Sequence, residues 1–144
     1  MNGEMRNEKL KQPKFLGCPH FLFLYSLFLF LTLPFMKLAP FPFQTLDWTS
    51  IPKEEHKGIT GSAYWQTFMM NDIRIRMLEY SPGYLADHWC KKGHIIFCLE
   101  GEMQTELGDG RTFILSKGMS YHVGDDCEPH RSSTVEGCKL FVVG

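Results

Sequence analysis

No block of like charge occurs in this chain: 15 Lys+Arg stand against 16 Asp+Glu, for a formal net charge of −1. A phosphate backbone is held by cations clustered on one face, so the expected partners do not include nucleic acid. A disulfide framework is missing as well. The five cysteines, at 18, 90, 98, 127 and 138, are odd in number and irregular in spacing, which predicts free thiols and favours a reducing compartment. Neither internal repeats nor low-complexity linkers divide the sequence. With 144 residues there is room for one ordinary domain of ~100–150 residues and one site.

A long apolar run occurs once, from Phe21 to Leu33 (FLFLYSLFLFLTL), preceded by Lys9, Lys11 and Lys14 and followed by Pro34. Three readings of this leader compete. A signal peptide would explain the basic start, but LPFMKLAP offers no small-x-small cleavage site. A membrane span could use the uncharged window from Phe15 to Met36, near the ~20 residues a bilayer core needs; the lysines would stay inside and the domain outside. The third reading makes Met36 the true start and residues 1–35 an upstream extension. Free thiols favour that reading and a cytoplasmic protein, whereas the other two give an exported or membrane-anchored one. The folded domain is expected over 36–144.

After Met36 no segment keeps an apolar period of 3.6 over three turns, while several keep a period of 2 broken by Gly, Pro and Asp. The class is therefore all-β. Ser62 to Met69 and Asp72 to Tyr80 read as a hairpin around Met70-Asn71, with Ile73, Ile75 and Met77 alternating against Arg74, Arg76 and Leu78. His94 to Glu100 and Glu102 to Leu107 read as two strands separated by Gly101, and Gly108-Asp109-Gly110 returns the chain through Arg111 to Leu115. Short strands at this spacing predict a closed barrel or two-sheet jelly roll. Ala39 to Gly61 reads as an arm around it.

The chemistry concentrates in Gly83 to Glu102, GYLADHWCKKGHIIFCLEGE. Residues two apart on a strand share a face, so His88 and Cys90 would point together with Trp89 opposed. The Lys91-Lys92-Gly93 turn would return His94 beside them, and His130, in EPHRSS, is the fourth candidate. Imidazole and thiolate suit one divalent Zn, Fe, Cu or Ni ion and not Mg or Ca. Cys98 is expected in the core, His122 and His56 on the surface. Asp87 is either an acceptor for a ligand imidazole or a turn former. Arg74, Arg76 and Glu79 would by alternation line a pocket, but arginines on such a strand more often form its wet face. Tyr64, Trp65 and Trp89 are expected to pack.

Gly83, His88, Cys90, His94 and Gly101 fall where the first cupin motif places its glycine, two histidines, glutamate and second glycine, and Gly118 to His130 resembles a lengthened second motif. Cysteine replaces the second histidine and histidine the glutamate. The chain thus resembles the cupin superfamily and, through ADHWCKKGH and EPHRSS, the small single-domain bacterial cupins named for their Asp, His, Cys, Trp (DHCW) motif. The resemblance implies a jelly-roll barrel, a metal held by His88, Cys90, His94 and His130, a small-molecule ligand and a homodimer. Two functions follow: a metal-dependent enzyme of oxygenase or isomerase type, with Glu79 and Glu102 as candidate bases, or a non-catalytic small-molecule, metal or redox binding module.

Overall fold

A computed structural model describes residues 38–144. The leader, with its signal, membrane and extension readings, lies outside the described residues. Among those described, no helix is long and apolar enough to cross a membrane. The fold is all-β, as its period-2 patterning predicts. Among the described residues a 3-10 turn, Trp48–Ser50, precedes the strands β1 (Glu54–Lys57), β2 (Ser62–Met70), β3 (Ile73–Tyr80), β4 (His94–Leu107), β5 (Thr112–Ser116), β6 (Ser120–Val123), β7 (His130–Ser133) and β8 (Cys138–Val143). All pair antiparallel, in the order β1-β2-β3-β8-β4-β5, with β6 and β7 also on β4.

β4 organises the barrel. Instead of the two strands expected, His94 to Leu107 forms one strand of 14 residues. Its first part pairs with β6 and β8 and its second with β5 and β7. Register shifts between Cys98 and Glu100, and Gly101 takes φ 73° where a Cβ would meet the Gly137 carbonyl at 2.3 Å. A bulge followed by a left-handed glycine bends the strand without ending it, so β4 serves both sheets. The hairpin also differs from expectation by one residue. Asn71, at φ 53°, takes the left-handed position that asparagine tolerates, so β2 extends to Met70 and β3 starts at Ile73.

The expected arm is only partly an arm. Asp47 Oδ1 accepts from Thr49 N at 2.9 Å and caps the 3-10 turn, while the Gln66 side chain donates to the carbonyls of Trp48 and Ile51. Trp48 meets Phe141 edge-on, with ring centroids 6.4 Å apart. These contacts cover part of the outer face, where Met77 and Phe141 pair. β3 is thereby turned over: Ile73, Ile75 and Met77 are only partly covered, while Arg76, Leu78 and Tyr80 are buried. The reading of Arg76 as a wet-face residue is overturned, because the outer face carries the aliphatic set and the interior the arginine.

Candidate metal centre

Gly83 to Gly93 is not a regular strand. The chain touches its neighbours through single bridges, Leu85 to Ser133 and Cys90 to His130, and bends at Asp87 and His88 between them. The Cys90 bridge is reciprocal, with Cys90 N donating to His130 O at 2.8 Å and His130 N to Cys90 O at 3.0 Å. It brings the Cys90 thiol beside His130. The Lys91-Lys92-Gly93 turn is fastened by Asp126 N on the Lys91 carbonyl and by Asp125 Oδ1, which accepts from Gly93 N at 2.8 Å. A Cβ at Gly93 would stand 2.7 Å from Asp125 N, so the turn needs glycine to dock closely enough to start β4 at His94.

Three of the four predicted donors converge. One ligand atom from each of Cys90, His94 and His130 lies within 4.8 Å of the others. The cluster could hold a metal ion. His130, 2% exposed, holds its ring with Nδ1–H donating to the Glu128 carbonyl at 2.8 Å. That bond fixes the tautomer and turns the Nε2 lone pair towards His94, whose Nε2 is 2.8 Å away. Burial first, then the nearby His130, Arg76 and Arg74, hold His94 down to about 4. The lowered value keeps the His94 imidazole neutral, the form that binds metals. Ligation of both rings through Nε2 would replace the imidazole–imidazole hydrogen bond. The donor set fits a borderline or soft ion.

His88 stands outside this group. The bend defeats the two-residue alternation that would have aimed it with Cys90, and the ring is exposed with Nδ1 2.6 Å from Asp87 Oδ1. Hydrogen bonding to His88 holds the Asp87 carboxyl below its usual range. His88 nevertheless lines the same interior cavity of ≈ 80 Å³ as the three donors. Cys98 is fully buried, and desolvation pushes its thiol up; His122 is exposed. His56 is half-buried and stacks on Trp65, with centroids 3.9 Å apart, because β1 pairs with β2 where an arm alone would have left it solvated. Trp89 is 40% exposed, with the Arg131 guanidinium 4.8 Å from its ring centroid. Glu79 pairs with Lys53, and Glu102 accepts from Ser116 Oγ at 2.9 Å; both are tied up at the exterior.

Sequence reasoning missed Tyr121 on the cavity wall. Tyr121 places its hydroxyl 3.2 Å from His94 Nε2, and burial pushes that phenol well up. Its signal was the alternation of SYHV, in which an exposed His122 implies an inward Tyr121. Beyond the donors, a cleft of ≈ 270 Å³ runs between β5 and β6 past Phe113 and Met119, and Tyr121 and His130 line both spaces.

No protein-family model and no curated protein matches the sequence. Solved structures do match its fold. The polyketide cyclase RemF from Streptomyces resistomycificus is 22% identical, with a TM-score of 0.61 over 71% of this chain and 78% of that one. The ectoine synthase from P. lautus is 18% identical, with a TM-score of 0.58 over 70% and 76% of the two chains. A sugar phosphate isomerase from a cupin superfamily of Silicibacter pomeroyi is 13% identical, with a TM-score of 0.56 over 69% and 74%. The shared architecture is the cupin fold.

Proposed function

We propose that this cupin-fold chain is a metal-dependent enzyme acting on a small organic molecule, with Cys90, His94 and His130 as three ligands and His88 as the fourth. One observation carries the reading: the three donors meet at one point on the wall of an interior cavity, beside a larger cleft, and not on an outer surface. His130 and His94 offer imidazole nitrogens and Cys90 a sulfur, which bind metals as neutral imidazole and thiolate. His88 joins from the rim, where Asp87 on Nδ1 leaves Nε2 to the ion, the carboxylate–histidine arrangement common around bound metals. Zn, Fe, Cu or Ni at this point would supply Lewis-acid or oxygen chemistry at any open position.

The remaining residues define what else the site does. Tyr121 Oη, beside His94, is placed to hydrogen-bond a ligand atom close to the donors. With Glu79 and Glu102 engaged outside, it is a proton-carrying group that the cavity places next to the cluster. The cyclase, synthase and isomerase that share the fold carry enzyme names, which supports catalysis, although one fold hosts many functions. The DHCW resemblance adds the expectation of a small single-domain cupin working as a homodimer. Metal analysis of the purified chain beside His94→Ala tests the centre: one equivalent of a transition ion is expected in the parent and little in the variant. Full occupancy in the variant would remove His94 from the site. Azide titration of the Co(II)-loaded chain then separates the two function classes. A spectral change marks an open position and supports the enzyme, whereas an unchanged spectrum supports a closed structural or redox-responsive module.

A further inference from the structure

The cations of this domain are distributed in an unusual way. Lys53, Lys57, Arg111 and Lys139, all substantially exposed, each pair with a carboxylate, and the half-buried Arg131 pairs with Glu106. Arg76 is 7% exposed, yet none of the ion pairs among the described residues includes it. Its Nε is a buried donor without a partner, and so is Nε1 of Trp65, over whose ring the guanidinium lies at 4.9 Å from the centroid. A cation–π contact steadies the guanidinium face but leaves its in-plane Nε–H unused. Burying a charge and a polar N–H without partners is costly, and stability alone would place this arginine outside. Both residues line the cavity that holds Cys90, His94 and His130.

We infer that Arg76, assisted by Trp65 Nε1–H, is the anchor for a carboxylate group on the small molecule that the metal centre handles. A single guanidinium matches a monoanionic carboxylate through two parallel N–H···O bonds, and a phosphate dianion would call for more donors than these two side chains supply. A cavity of ≈ 80 Å³ has room for several water-sized groups at roughly 10–15 Å³ each. A carboxylate with two or three attached carbons fits that space. The larger cleft past Tyr121 can take what extends beyond it. The inference names the substrate class for the proposed metal site and rests on that reading only for what becomes of the bound acid.

The test uses the full chain, metal-loaded and after chelation, with propionate and its neutral isostere propionamide as probes in a thermal-shift titration. Propionate is expected to raise the melting temperature in a saturable way before and after chelation, and propionamide to leave it unchanged. Arg76→Met is expected to weaken the propionate response at least tenfold while retaining metal, Arg76→Lys to keep part of it, and Trp65→Phe to weaken it by less. Equal responses to propionate and propionamide in the parent chain would overturn the inference, whatever the variants do. So would an unchanged response in Arg76→Met, or a stronger response to methyl phosphate than to propionate. Loss of metal binding with the propionate response intact would instead count against the metal centre and leave Arg76 standing.

Discussion

Along the inner face of the main sheet, successive cross-strand rows change character. One row aligns Ala63, Tyr80, Cys138 and Gly101, and the next Trp65, Leu78, Leu140 and Cys98. Ala63, Cys98 and Leu140 have no exposure at all, and burial pushes the Cys138 thiol up to about 12. The following row aligns Thr67, Arg76, Val142, Ile96 and Tyr121, and beyond it His94 opens β4. Ala63, Cys98, Cys138 and Leu140 of the first two rows form a sealed core, whereas Trp65, the next row and His94 carry an indole N–H, an unpaired guanidinium, a phenol and part of the donor cluster. Cys98 and Cys90 show what the difference teaches. The same thiol is packing material where carbon surrounds it and a candidate ligand where two imidazoles and a cavity do.

If the two ends do separate jobs, stability and metal binding should come apart on mutation. Leu140→Ala should produce the largest change, about 2–5 kcal/mol off the unfolding free energy in urea, with the metal content of the folded fraction unchanged. His94→Ala should reverse that pattern, with a smaller stability loss and a metal affinity reduced by more than the roughly 100-fold that removal of an outer partner costs. Competition against a chromophoric chelator measures it. Asp87→Asn, which keeps the shape but weakens the hold on His88, should cost roughly tenfold in the same assay; no change would leave His88 outside the centre. The smallest effect concerns pH. The folded pKa of Cys138 is raised above the unfolded value, so its contribution is complete below about 9 and is lost as pH rises towards 12. Cys138→Val should flatten part of that alkaline decline in urea midpoints, and a steeper decline would contradict the sealed-core account.

The fold was readable because turn chemistry and a period of 2 are local properties. β2, β3 and the Gly108-Asp109-Gly110 return follow from them almost residue by residue. β4 defeated the same rules, since Gly101 looks like a terminator and only the partners on both sides reveal a bend. The outer face of β3 misled for a related reason: apolar Ile75 and Met77 looked inward-facing until Trp48 and Phe141 supplied a covering outside the barrel. At the site, Cys90, His94 and His130 could be proposed from residue chemistry and motif register. The exposed placement of His88 could not, because it depends on a bend held by isolated bridges to distant parts of the sequence, such as Cys90 to His130, whose carbonyl and amide bonds are tertiary.

The central claim is that the thiol of Cys90, and neither of the sealed thiols, completes a metal centre with His94 and His130. The near-ultraviolet spectrum of the Co(II)-loaded chain tests it directly, since a bound thiolate gives a sulfur-to-metal charge-transfer band. The band should be present in the parent chain, Cys98→Ser and Cys138→Ser, and lost in Cys90→Ser. A band that survives in Cys90→Ser, or a parent chain that binds Co(II) without one, would contradict the account.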